Sequence, residues 1–114
     1  MDSAVKTWRV NYFQTARGSY PVKDFVEALD QTMRARVALA IKLLINQGPF
    51  LKPPYIKKLQ DKLYELRISG TIEVRILYTI YKNEYYLLHV FIKKKQKTPP
   101  KEIKTAIDRM KELL

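Results

Sequence analysis

Hydrophobic and polar positions along the chain change period repeatedly, and each change marks a new element. Trp8, Val10 and Tyr12 alternate with Arg9 and Asn11, the two-residue period of a strand. A loop follows at Thr15–Tyr20. Pro21 then suits a first helical turn, and Val22, Phe25, Val26 and Leu29 recur at the spacing of one helical face. Asp30 is placed to cap a second helix in which Met33, Val37, Ala40, Ile41 and Leu44 share a side, and Gly48-Pro49 stops it. A helical hairpin and one bent helix both fit this stretch.

Past the proline-bearing segment Pro49–Pro54 the period returns to two. Leu63–Ile68, Ile72–Tyr81 and Tyr85–Lys93 read as three consecutive strands of an antiparallel meander, with turns at Ser69-Gly70-Thr71 and Lys82-Asn83-Glu84. In the middle strand Ile72, Val74, Ile76, Tyr78 and Ile80 make the core side, opposite Glu73, Arg75, Leu77, Thr79 and Tyr81. The last strand is apolar on both sides, with Tyr86, Leu88, Val90 and Ile92 against Tyr85, Leu87, His89 and Phe91, which suits a central or doubly covered position. A three-residue turn at Lys82–Glu84 would set Arg75 opposite Phe91 and diagonal to His89 and Lys93. Pro99-Pro100 precedes a terminal helix with Ile103, Ala106, Ile107, Met110 and Leu114 on one side. The expected fold class is α+β, a small antiparallel sheet in the order strand, two helices, three-stranded meander, C-terminal helix.

Composition adds bounds to this picture. With 114 residues, 46% of them hydrophobic, and no internal repeat or Gly/Ser linker, residues 1–114 read as a single domain. The absence of cysteine removes disulfide, thiolate-zinc and iron-sulfur chemistry. No apolar run approaches a membrane span, and Met1–Lys6 lacks the apolar core of a signal peptide. The expectation is a cytoplasmic chain with no membrane role.

Charge points to a partner class. The 22 Lys+Arg outnumber the 11 Asp+Glu, a net charge of +11 that favours polyanions. Most of the excess falls between Lys52 and Lys101, which places the partner surface in the second half.

Several chemistries are missing. There is no glycine-rich phosphate loop, nucleophile elbow or cluster at metal-ligand spacing, and one histidine excludes a two-histidine ribonuclease. The sparse acids Asp61, Glu65, Glu73 and Glu84 argue against a two-metal nuclease, so no metal or cofactor is expected. RNA cleavage by the substrate's own 2′-hydroxyl remains open, because it needs cations and orientation more than a protein nucleophile. Arg67 and Arg75, both out of register with the core side, are the candidates, with cross-strand pairing to Glu65 or Glu73 as their structural alternative. His89 and the meander tyrosines also read as packing residues. Lys57-Lys58 and Lys93–Lys97 read as phosphate contacts or a solvated face.

Lys58-Leu59, Leu63-Tyr64-Glu65-Leu66-Arg67, Val74-Arg75-Ile76-Leu77-Tyr78, the run Leu87–Lys94, Lys97-Thr98-Pro99 and Glu102-Ile103 occur in an order and spacing that closely resembles the RelE/ParE toxin superfamily, in its HigB-like, phage-related branch. The resemblance spans roughly residues 8–112. It implies a RelE-like fold and the toxin of a type II toxin–antitoxin module, a metal-independent endoribonuclease that cleaves mRNA on the ribosome and arrests growth. It further implies a helix-turn-helix antitoxin as partner, with operator DNA reached only through the toxin–antitoxin complex.

By motif matching, the resemblance assigns Arg75 to transition-state phosphate stabilisation, Arg67 to substrate-phosphate positioning and Lys93 to the same anionic centre. Lys57, Lys58, Lys94, Lys95 and Lys97 become RNA or ribosome contacts. The carboxyl-terminal tyrosine that RelE-type members place as base has no counterpart after Tyr86, which leaves the base open, with His89 and Glu65 as poor substitutes. Two other classes share these features: a ParE-like toxin that binds a protein target such as DNA gyrase, and a non-catalytic phage nucleic-acid-binding protein.

Overall fold

The computed structural model describes residues 6–113. Met1–Val5, and Leu114 with its expected place on the terminal helix, lie outside the described residues. The elements are β1 (Val10–Tyr12), α1 (Pro21–Glu27), α2 (Gln31–Gln47), β2 (Ile56–Gln60), β3 (Leu63–Ile68), β4 (Val74–Tyr81), β5 (Glu84–Ile92) and α3 (Pro100–Lys111), an α+β fold. The strands form one sheet in the order β1-β5-β4-β3-β2. Among the described residues, no helix is long and apolar enough to cross a membrane.

The helical hairpin forms as two helices. Pro21 sits in the first turn of α1, and the Asp30 side chain caps α2 by accepting from the Met33 N–H at 2.8 Å. Gly48 ends α2 with φ +48° and lies against Trp8, where a Cβ would come within 2.3 Å of the indole, so backbone and packing both require glycine there. Pro49 continues into a short 3₁₀ turn over Gly48–Phe50.

The sheet differs from expectation in two ways. It is mixed: β1 runs parallel to β5, pairing Val10 with Tyr85 and Tyr12 with Leu87, because the α1–α2 hairpin carries the chain across before the meander begins. It also has a fifth strand, β2, antiparallel to β3 and hidden in the sequence by the consecutive Lys57-Lys58.

Both faces of the sheet are covered. Leu66, Val74, Ile76, Tyr78 and Leu87 bury against Val22, Met33, Val37 and Leu44 of α1 and α2. On the other face Leu63, Leu77, Leu88 and Phe91 pack with Phe13 and with Ala106 of α3. The side of β4 opposite the expected core is therefore a second core.

The β4–β5 hairpin reaches its expected register by another route. Its turn has two residues, Lys82 and Asn83, both at positive φ, between the paired Tyr81 and Glu84. A bulge at Leu88 then inserts one residue, so Arg75 still pairs with Phe91. The bulge reverses the alternation of β5: Tyr85, Leu87 and Val90 belong to one core, and Leu88 and Phe91 to the other.

Candidate functional site

Pairing across the sheet lines up side chains on the α3 face in rows. Arg67 pairs with Arg75 and Arg75 with Phe91. One step beyond the last β2–β3 pair, the Arg67 N–H donates to the Tyr55 carbonyl at 2.9 Å, which extends this row to Tyr55. The next row joins Lys57, Glu65, Leu77 and His89. On the other side, the Lys93 N–H donates to the Glu73 carbonyl at 2.7 Å, and the Ser69 hydroxyl donates to the Glu73 carboxylate at 3.0 Å.

Glu65 is the hub of this arrangement. Its side chain is 0% exposed, with Oε1 3.4 Å from Arg67 Nε and 3.6 Å from Arg75 Nε. Its Oε2 accepts from the Thr98 hydroxyl at 2.6 Å. A carboxylate without water is stable only with such partners, and it in turn holds two like-charged guanidinium groups side by side. Its two oxygens are thus taken up by Arg67, Arg75 and Thr98, and its side chain presents no surface to solvent.

The two arginines are not equivalent. The Arg75 side chain is only 9% exposed; its Nη1 donates to the Val74 carbonyl at 3.1 Å, its Nη2 to Glu73 at 3.2 Å, and its Nε has no hydrogen-bond partner among the described residues. Arg67 is 30% exposed. The cross-strand alternative weighed from the sequence is present as Arg75–Glu65, while Arg67–Glu65 and Arg75–Glu73 pair within two residues of each other along the chain; both arginines also line an open cleft of about 350 Å³ with Pro54, Tyr55 and Ser69. Lys93 lies in the same field. Burial pushes its ammonium below the usual lysine value, and Arg75, Arg67 and Lys57 press the same way against the opposing Glu65.

The remaining sequence candidates separate from this cluster. Lys58 pairs with Tyr64, one residue beyond the Lys57–Glu65 pair, and so falls on the opposite face from Glu65. Lys94, Lys95 and Lys97 are exposed in the β5–α3 loop, where Lys94 and Lys95 border another cleft with Pro99 and Lys101. His89 is tied to α3: its Nε2 lies 2.7 Å from Glu102, and Arg109 approaches its Nδ1 at 3.4 Å. Arg109 also donates at 2.8 Å to the carbonyl of Leu88, the bulged residue, so this histidine belongs to the seam that docks α3 on the sheet.

Thr98, Glu73 and Tyr55 are the residues that sequence reasoning did not place in the site. Tyr55 had a findable signal, because recognising β2 sets its preceding residue opposite Arg67.

Residues 24–111 match the family described as phage-derived protein Gp49-like (DUF891). The chain is also 30% identical over 112 residues to proteins from two strains of Mycobacterium tuberculosis, each described as probable endoribonuclease HigB1, an alignment covering 96% of this chain and 86% of the relative.

Proposed function

The chain belongs to the phage-derived Gp49-like family, a toxin family of the RelE/HigB type, and on that premise we propose that residues 1–114 act as one endoribonuclease domain that cuts mRNA on the ribosome. The observation that carries the reading is the gathering of Arg67, Arg75, Lys93 and Lys57 around one buried carboxylate beside an open cleft. A cognate antitoxin relieves the resulting growth arrest.

In the proposed reaction the substrate's 2′-oxygen attacks the adjacent phosphorus as the bond to the 5′-oxygen breaks, giving a 2′,3′-cyclic phosphate and a 5′-hydroxyl. Arg67, the more open guanidinium, holds the phosphate with its planar fork. Arg75 meets the charge that develops on the phosphoryl oxygens, releasing Glu73 as it does so. The 2′-proton leaves to water, and the Lys93 ammonium, made more acidic by its surroundings, protonates the departing 5′-oxygen. None of these steps calls on a metal ion.

The test adds purified protein to a reconstituted translation reaction and maps mRNA 5′ ends with and without ribosomes, alongside Arg67→Ala, Arg75→Ala and Lys93→Ala. Cuts that need ribosomes and are lost in the three variants support the assignment. Intact mRNA, from folded protein that still arrests growth, overturns it in favour of a protein-binding toxin.

A further inference from the structure

Tyr55 is exposed to 52% at the rim of the cleft that Arg67 and Arg75 line. Large aromatic side chains usually bury most of their surface, and the tyrosines of the opposite, α1–α2 face, such as Tyr64, Tyr78 and Tyr85, are packed against one another. Among the described residues, Tyr55 takes no part in such a pair. Its backbone is nevertheless fixed at both ends: its N–H donates to the Lys52 carbonyl at 3.1 Å, and its carbonyl accepts from Arg67 at 2.9 Å. The residue is thus carried at a set place in the row that contains both arginines, while about half of its surface stays open toward the cleft.

We propose that Tyr55 is a stacking platform for a nucleobase, the base of a nucleotide next to the phosphate held by Arg67. The inference rests on the proposed nuclease reading and adds to it a base subsite. Single-stranded RNA presents a phosphate and a base in repeating succession, and a guanidinium beside an open aromatic ring matches that succession. The cleft's charge alone would attract any anion. An aromatic rim makes it a site for a nucleotide, and Lys57, two residues on along the same face, extends it toward the next phosphate.

The experiment measures kcat and KM for mRNA cleavage on programmed ribosomes by the wild-type protein, Tyr55→Ala, Tyr55→Leu and Tyr55→Trp. Loss of one stacked base raises KM by roughly 5- to 100-fold, with kcat changed far less. Tyr55→Leu, which keeps apolar bulk without a π face, shows the same loss as Tyr55→Ala, whereas Tyr55→Trp restores the wild-type KM. Wild-type KM in Tyr55→Ala, or rescue by leucine as good as by tryptophan, overturns the stacking subsite and leaves the nuclease reading intact. Absence of cleavage by the wild-type protein overturns both.

Discussion

Glu65 and Leu66 are neighbours in β3, yet they point into opposite halves of the molecule. Leu66 enters a core made almost wholly of hydrocarbon and tyrosine rings, between the sheet and α1–α2. Glu65 enters the α3 side, where apolar packing covers only the part nearest Leu63, Leu77 and Leu88 and gives way to paired charge at Arg67, Arg75 and Lys93. The first side gains stability from area removed from water, whatever the order of its side chains. On the second, each buried ion depends on particular partners, and the arrangement serves to hold cations near a cleft. A charged half of this kind is affordable because the other half supplies a complete core.

The largest expected effects come from that adjacent pair. Glu65→Ala leaves Arg75 in a dry site with only Glu73 and the Val74 carbonyl as partners and should destabilise the protein by about 3–5 kcal/mol, as breaking a buried ion network does. Leu66→Ala should cost about 2–5 kcal/mol through lost burial and a cavity. Denaturant unfolding measures both, and a second substitution distinguishes them, since an Arg75→Met background changes the cost of Glu65→Ala but leaves that of Leu66→Ala nearly unchanged. Equal losses that ignore the Arg75 background would mean that the two faces are stabilised in the same way.

Arg67→Ala sharpens the contrast by separating stability from activity. Its ion pair is partly exposed, so unfolding free energy should change by about 1 kcal/mol or less. Cleavage should fall roughly 100-fold, the loss typical of a reacting group that is no longer held in place. Arg67→Lys should recover little, because a single ammonium lacks the two-pronged geometry. Loss of stability as large as that in Glu65→Ala would instead make Arg67 a structural residue.

Alkali should affect the faces with opposite signs. Burial raises the phenols of Tyr78 and Tyr85 on the α1–α2 side, helped by neighbouring tyrosines. Above pH 10.0, the ordinary tyrosine value, the unfolded chain loses these protons while the folded one keeps them, so stability falls as pH rises. Burial lowers Lys93 below 10.5; in the interval beneath that value the folded state releases a proton that the unfolded state retains, and stability rises slightly with pH. With two phenols against one amine, the net trend above 10.0 is downward. Tyr78→Phe should flatten the fall and Lys93→Gln should remove the small rise, both read from unfolding midpoints against pH. Lys93 also predicts that cleavage declines once pH passes its lowered value, a limb that Lys93→Arg should shift upward.

The apolar half was legible in the sequence because period and burial coincide there: Val22–Leu29, Met33–Leu44 and Val74–Tyr78 lie where the spacing put them. The charged half was legible only in part. Alternation sent Arg67 and Arg75 away from Val74 and Ile76, but nothing local reveals that a threonine 33 positions later completes the Glu65 site, or that Lys57 rather than Lys58 faces it. These are facts of pairing between distant segments. The edge strand β2 was the decisive omission, since Tyr55 and Lys57 take their places only from its register with β3. His89 lies diagonal to Arg75, where the expected register put it, and packs as its apolar neighbours suggested; what the sequence did not reveal is the Leu88 bulge that gives this register, because a bulge leaves little trace in a pattern already apolar on both sides.

The smallest predicted effect concerns that same hairpin. Arg75 faces Phe91 because a two-residue turn and a one-residue bulge together give the register that a three-residue turn would give alone. The turn holds Lys82 at φ +50° and Asn83 at φ +67°, a left-handed region that costs an ordinary side chain about 1–2 kcal/mol and asparagine less. Lys82→Gly relieves the strain, offset by roughly 0.5–1 kcal/mol of extra chain entropy and by the loss of a weak contact between the ammonium and the Tyr81 ring. The net gain should be under about 1 kcal/mol in unfolding free energy, with cleavage unchanged, because the register and hence the Arg67–Arg75 row stay in place. If cleavage fell while stability rose, the turn would be setting the charged face directly rather than through the register it shares with the apolar one.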